Sequence, residues 1–219
     1  MTDEIILVDK PAGITSFGVV ARIRRVLSEK AGKKVKVGHT GTLDPFATGL
    51  MIIVTGKECK NAENYSKLDK VYEATIALGK TSTTDDPEGE ISKTSDLVPS
   101  IDDIKEVLGK FKGEITQKPP IYSAIKIDGQ RAYKLARVGK KVDMPERKIK
   151  IYSLDIVKYS YPELTIRTNV SSGTYIRTLA QDIGHALGVG AYCSQLRRIS
   201  IDKYKIENTH QLSDFGINS

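Results

Sequence analysis

The sequence predicts an α+β fold built on a mixed, mostly antiparallel sheet with flanking helices. Apolar runs of strand length and segments of helical periodicity both occur, but they do not alternate in the regular rhythm of a doubly wound fold. At 219 residues the chain can bury roughly 70–75% of the surface its unfolded form exposes, so a substantial core needs no staples. That size predicts one domain, carrying an excursion at about 117–145 that is punctuated by Pro119-Pro120, Asp128-Gly129 and Met144-Pro145.

Along the chain, Glu4 to Val8 reads as a short strand, and Ser16 then caps a helix with Val19, Val20, Ile23, Val26 and Leu27 at helical spacing. Gly32 ends it. Leu50 to Thr55 is a continuous apolar run of buried-strand length, and Val71 to Leu78 is a strand with alternating Tyr72, Ala74, Ile76 and Leu78. A polar, acidic stretch from Thr81 to Pro99 contains Asp86-Pro87-Glu88-Gly89 as a turn signal. Ile101 to Phe111 follows as an amphipathic helix, and Gly113 closes that unit. Lys148 to Val157 and Leu164 to Val170 form a strand pair around Tyr161-Pro162. A helix from about 174 to 187 and a strand near Ser194 to Ile201 complete the pattern.

Composition excludes several classes of function. Cys59 and Cys193 stand far apart, which argues against a disulfide framework or a cysteine zinc site and fits a reducing cytoplasm. His39, His185 and His210 form no ligand set at metal-binding spacing, so no metal is expected. Gly56-Lys57 lacks the rest of a phosphate loop, and no G-x-G-x-x-G opens a helix, so no nucleotide cofactor is expected either. No basic-then-apolar leader follows Met1, and the apolar run Leu50 to Val54 is too short to cross a bilayer. A soluble protein is expected.

Charge is unevenly distributed. The 34 Lys and Arg exceed the 27 Asp and Glu by seven over the whole chain. From Lys110 to Lys150, twelve basic residues face four acidic ones, a larger surplus than that of the entire molecule. From Thr81 to Gly109, eight acids face two lysines. A polyanion, most economically a nucleic acid, fits the first segment, against the alternative of a merely solvated lysine-rich surface.

The stretch Gly38-His39-Thr40-Gly41-Thr42-Leu43-Asp44-Pro45-Phe46-Ala47-Thr48-Gly49-Leu50 holds one carboxylate in a glycine-punctuated loop that leads into the buried strand. Asp44 could cap the turn before Pro45, as Asp often does. Its neighbours offer no second carboxylate and no serine or cysteine with an evident base, so a chemical role would be that of a lone ionised nucleophile or base. Such a group needs a cation. Arg177, in the first turn of the predicted helix after Gly173-Thr174-Tyr175, is a candidate, because the helix macrodipole disfavours a positive charge there and an anionic partner offsets the cost. An exposed, unpartnered arginine is the dull alternative. Tyr72 and Tyr175 could pack a core edge or offer stacking platforms for a nucleobase. Tyr122 and Tyr133, among Lys126, Arg131, Lys134 and Arg137, repeat the basic-plus-aromatic theme.

Six blocks in order, Leu7-Val8-Asp9-Lys10-Pro11-Ala12-Gly13, the Gly38 to Leu50 stretch, Lys70-Val71-Tyr72, Pro120-Ile121-Tyr122-Ser123-Ala124-Ile125-Lys126, Gly173-Thr174-Tyr175-Ile176-Arg177 and Leu196-Arg197-Arg198, resemble the bacterial TruB-type tRNA pseudouridine synthases. The resemblance implies isomerisation of the T-loop uridine at tRNA position 55 to pseudouridine, without cofactor, metal or guide RNA. It also implies Asp44 as the catalytic aspartate, Arg177 as the arginine that pairs with it, and Tyr72 as the tyrosine that stacks on the flipped base. By the same resemblance His39 lies beside the extruded loop nucleotides, while Lys10, Tyr175 and Leu196 support or line the pocket. The excursion at 117–145, with Lys126 and Arg131, corresponds to a thumb that grips the tRNA T arm. Many members continue into a C-terminal RNA-binding module of the PUA type, whereas this sequence stops at Ser219, so a separate module of that kind is not expected. A cytoplasmic monomer with tRNA as partner, no membrane and no obligate protein partner completes the expectation. Two other readings stay open at this point: an RNA-folding chaperone with incidental chemistry, and the guide-RNA-dependent branch of the same superfamily.

Overall fold

The computed structural model describes residues 4–140 and 142–217, apart from the side chain of Arg137. Lys141, and the Arg137 side chain, both counted in the basic surplus of the excursion, lie outside that description. In chain order the elements are β1 (Ile5–Lys10), α1 (Ser16–Ala31), β2 (Val37–His39), β3 (Thr48–Thr55), α2 (Ala62–Ser66), β4 (Lys70–Leu78), β5 (Lys80–Ser82), β6 (Ile91–Lys93), α3 (Ile101–Lys110), β7 (Gly113–Gln117), β8 (Lys126–Ile127), β9 (Gln130–Arg131), α4 (Ala132–Arg137), β10 (Arg147–Ser160), β11 (Glu163–Val170), α5 (Ile176–Ala186), β12 (Ala191–Ile201) and β13 (Tyr204–Lys205). Strands and helices mix as the sequence predicts, in an α+β architecture.

The chain divides into two compact units, residues 1–73 with 196–219, and residues 74–195. Strands β4 and β12 each contribute to both. In the first unit β3 pairs antiparallel with β1, with Val8 opposite Met51 and Lys10 opposite Gly49, and antiparallel with β2. On the edge opposite β1 it also pairs parallel with β12, Arg198 standing opposite Gly49. This central position buries β3 on both faces, which is why its sequence is a continuous apolar run rather than an alternating one. Leu50, Ile52, Val54 and Ile201 form a core cluster, with Ile5, Leu7, Tyr65 and Leu68 packed against it.

Helix α1 is capped by Thr15, whose hydroxyl accepts from the Gly18 amide at 2.9 Å, rather than by Ser16. Two adjacent residues carry hydroxyls, and that of Ser16 is drawn away to the backbone of Leu43. Gly32 ends the helix in the left-handed conformation, φ 62°, as expected.

In the second unit, strands pair in the order β12-β4-β11-β10-β7. Strands β10 and β11 form the long hairpin predicted around Tyr161-Pro162. Helix α3 starts at a complete capping box formed by Ser100 and Asp103, and it buries Ile104, Val107 and Leu108. Gly113 does not close that unit. It opens β7, which pairs antiparallel with β10. The five residues of β7, Gly-Glu-Ile-Thr-Gln, carry one apolar side chain, Ile115, and their strand state comes from pairing with β10 rather than from local propensity. The excursion at 117–145 falls within this unit and holds β8, β9 and α4. Asp128 (φ 47°) and Gly129 (φ 81°) form the tight turn of the β8–β9 hairpin, which sets Lys126 opposite Arg131.

Candidate active site

Asp44 sits half-buried in the loop between β2 and β3, and the backbone on both sides of it is fixed. On the near side, the buried Ser16 hydroxyl accepts from the Leu43 amide and donates to the Leu43 carbonyl, both at 2.8 Å. On the far side, the Pro45 carbonyl accepts from the Gly13 amide at 2.9 Å and from Lys10 Nζ at 3.1 Å. The Ala47 amide closes the turn onto the Asp44 carbonyl at 3.1 Å. Lys10 is fully buried and also donates to the carbonyls of Pro11 and Ile14, each at 2.8 Å. One ammonium therefore ties the Lys10–Ile14 segment to the residue after Asp44.

Arg198, 1% exposed, holds the same loop at both ends. Its Nε donates to the Leu50 carbonyl at 2.7 Å and its Nη2 to the Gly41 carbonyl at 3.1 Å. Gly49 makes that closeness possible, because a Cβ there would stand 2.4 Å from the Arg198 carbonyl oxygen, and its φ of 108° is one that side chains avoid. Lys70, also buried, donates to the carbonyls of Ser66, at 2.9 Å, and Leu68. Burial, followed by the nearby Arg198 charge, pushes its ammonium down to about 8. Arg197 forms a bidentate pair with Asp9, at 2.7 and 3.1 Å. Tyr72 and Leu196 are each buried to 7% exposure in this unit, and His39 is half-buried at the end of β2.

The second unit holds Arg177 in the first turn of α5, 3% exposed. Its Nη1 donates to Asp86 Oδ2 at 2.8 Å and to the Thr84 carbonyl at 2.9 Å, and its Nη2 donates to the Tyr122 carbonyl at 2.8 Å. Asp86 is buried too. Its other oxygen accepts from the Thr84 hydroxyl at 2.5 Å and the Glu88 amide at 3.0 Å, so the charge is met by three donors. The neighbouring Asp85 has φ 60°, accepts from Gln181 at 2.8 Å, and is pushed up to about 6, chiefly by burial. Tyr175, the residue before α5, has both backbone groups met by the buried Gln117 amide, at 2.8 and 3.0 Å. The end of β7 thereby fixes the start of the helix that carries Arg177.

A family profile described as the TruB family pseudouridylate synthase N-terminal domain matches residues 24–176, more than half of the chain. The chain belongs to the TruB family. A second profile, the tRNA pseudouridylate synthase B C-terminal domain, matches residues 177–217. Relatives named tRNA pseudouridine synthase B include one from Opitutus terrae, 43% identical over 93% of this chain and 83% of its own length. Another, from Aquifex aeolicus, is 43% identical over 97% of this chain and 73% of its own length. Among solved structures, a chain of a Cbf5-Nop10-Gar1 complex matches with a TM-score of 0.73 at 33% identity, covering 96% of this chain. A chain of an H/ACA RNP bound to a substrate RNA containing 2′-deoxyuridine matches with a TM-score of 0.70 at 30% identity. This chain spans about half the length of each of those two, at 52% and 51%.

The TruB-family chain places Lys10, His39, Asp44, Tyr72 and Leu196 in its first unit, where Lys10 directly braces the Asp44 loop. Tyr175, Arg177, Lys126 and Arg131 belong to the second, with Lys126 and Arg131 exposed on the β8–β9 hairpin. Arg177 is neither exposed nor unpartnered, and the carboxylate it meets at 2.8 Å is Asp86. By sequence Asp86 opens a turn, which forms, with the Gly89 amide donating to the Asp86 carbonyl at 3.5 Å. No local pattern marks the second role, because the pair joins residues 91 positions apart. Arg198 was legible as part of a family block but not as the buried clamp on Gly41 and Leu50. Among the described residues, no group of three or more His, Cys, Asp or Glu is arranged to hold a metal ion.

Proposed function

We propose that this TruB-family chain isomerises the T-loop uridine of tRNA, at tRNA position 55, to pseudouridine with Asp44 as the catalytic carboxylate. The base leaves C1′ through N1 and rejoins it through C5; the C5 proton passes to solvent, N1 regains a proton, and no cofactor is consumed. The observation that carries the reading is the loop around Asp44. Leu43 and Pro45 are each held by two hydrogen bonds, so a single carboxylate is presented on rigid backbone, as a positioned nucleophile or base requires.

In this reading the Arg177 guanidinium pairs with Asp44 and keeps it ionised, while its hydrogen bond to Asp86 orients that guanidinium. Tyr72 stacks on the extruded base, which helps offset the few kcal/mol that unstacking costs. His39, Tyr175 and Leu196 flank the flipped nucleotides. Lys126 and Arg131 on the exposed hairpin of the thumb meet phosphates of the T arm, positioning the RNA without reading its sequence. The catalytic domain is then one functional body with the 117–145 excursion as its thumb, working as a cytoplasmic monomer. No helix among the described residues is long and apolar enough to cross a membrane. The relatives named tRNA pseudouridine synthase B favour action on unguided tRNA. The solved H/ACA assembly motivates the guide-dependent alternative.

The test is tritium release from C5-labelled uridine in a T-arm transcript incubated with this protein alone. Release is expected for the wild type, and Asp44→Asn is expected to lower it by roughly 10⁴-fold while keeping most tRNA affinity, since phosphate contacts dominate binding. Near-normal turnover by the variant would remove Asp44 from the chemistry. Release only after a guide RNA and partner proteins are added would favour the alternative.

A further inference from the structure

The first unit carries a cationic surface of its own, along the second half of α1 and the turn that follows it. Between Arg22 and Lys36, seven basic residues face one acid, Glu29, a surplus of six within fifteen positions. Arg22, Arg25, Lys33, Lys34 and Lys36 are exposed. Glu29 approaches Arg25 at 4.0 Å, and both side chains are about 70% exposed, so the pair does little to neutralise the surface.

Helix electrostatics explain only part of this. The C-terminal end of a helix favours a cation by some tenths of a kcal/mol, which accounts for Lys30 in the last turn. Lys33, Lys34 and Lys36 follow the Gly32 cap and gain nothing comparable. They stand on ordered backbone, because the Val35 amide donates to the Ser28 hydroxyl at 3.0 Å and the Lys36 carbonyl accepts from the Gly56 amide at 2.9 Å. With Val35 and Val37, the side chains of Arg24, Lys34 and Lys36 line a depression of about 390 Å³. The Arg24 guanidinium also lies 5.8 Å from the centre of the Phe17 ring, whose side of the helix is exposed. The result is a fixed, concave, positively charged face rather than a scatter of solvated lysines.

Its position selects the part of the RNA it can reach. Ser16, at the start of α1, touches Leu43 beside Asp44, and Ala31 ends the helix. Measured along α1 from Ser16 at ~1.5 Å per residue, Arg22 stands about 9 Å away, Arg25 about 13 Å and the helix end about 22 Å. With strand phosphates spaced by ~3.4 Å along a duplex, this face meets phosphates several nucleotides from the reacting one. We propose that this face binds phosphates of the tRNA body beyond the T-arm hairpin, anchoring the substrate at a distance from the Asp44 loop. The proposal rests on the tRNA reading above.

The test compares wild type with a variant carrying Arg22→Gln, Arg25→Gln, Lys33→Gln, Lys34→Gln and Lys36→Gln, by filter binding to whole tRNA and to an isolated T-arm hairpin between about 50 and 200 mM salt. For whole tRNA, Kd is expected to rise by about tenfold or more, and the slope of log Kd against log salt to become shallower by roughly 2 to 3. Binding to the hairpin is expected to stay within about twofold of wild type. A variant with the three lysines changed to arginine should bind whole tRNA like wild type. An unchanged Kd and slope on whole tRNA would overturn the proposal, as would an equal loss on the hairpin or on poly(U). Binding needs no turnover, so absence of tritium release by the wild type would sink the functional reading and leave these constants to decide the surface independently.

Discussion

Two buried arginines, one in each unit, are held in contrasting ways. Arg198, in the first unit, donates to the carbonyl oxygens of Gly41 and Leu50, so dipoles meet its charge and the loop around Asp44 gains a clamp. Arg177, in the second unit, meets a full carboxylate, Asp86, which is itself satisfied by Thr84 and Glu88. Carbonyl ligands fix backbone without cancelling charge. A carboxylate ligand orients a guanidinium and shares its charge. Lys70 extends the first pattern, because the nearby Arg198 charge depresses its ammonium further than burial alone.

Breaking the ion pair is expected to have the larger effect on stability. Asp86→Ala removes a buried carboxylate from the Arg177 guanidinium, and removing one partner of such a pair costs about 3–5 kcal/mol. Urea unfolding would measure it. A loss below about 1 kcal/mol would mean that the remaining partners of Arg177 hold it without Asp86. Arg198→Met is expected to cost about 2–3 kcal/mol, because two buried carbonyls lose their donor while the methionine retains most of the packing. The same change should lower turnover on tRNA more than tRNA binding, since it loosens the Asp44 loop.

The smallest effect concerns pH. The Lys70 ammonium lies at about 8 in the fold against an ordinary value of 10.5. Between those values the unfolded chain binds the proton that the folded chain has released, so this group makes stability rise with pH from about 8 to 10.5. Lys70→Met should remove that rise, seen as a difference between variant and wild type in denaturant midpoints at pH 8 and pH 10. Parallel curves would show that Lys70 keeps its proton in the fold. In the Arg198→Met background the rise should shrink, since the repelling charge is gone.

Much of the architecture was legible because it is written in local periodicity. The apolar run of β3, the capped stripe of α3 and the helix carrying Arg177 each follow from patterns within one segment. Boundaries shifted where a tertiary partner competed. Ser16 lost the capping role to Thr15 because its hydroxyl bridges both backbone groups of Leu43, and Gly113 opened a strand because β10 lies beside it.

Residue types and their spacing already carry the α+β class, the isolation of Asp44 in a glycine-punctuated loop, the basic excursion and the six ordered blocks of a TruB-family chain. These properties depend on residue type and spacing, which survive without coordinates. Folding is what brings Arg198 and Lys10 onto the Asp44 loop and Asp86 onto Arg177. Each of these contacts joins residues that chain order separates, the Lys10 to Pro45 bond by 35 positions and the Arg198 to Gly41 bond by 157. A buried cation selects its partner by proximity and desolvation, which folding alone creates.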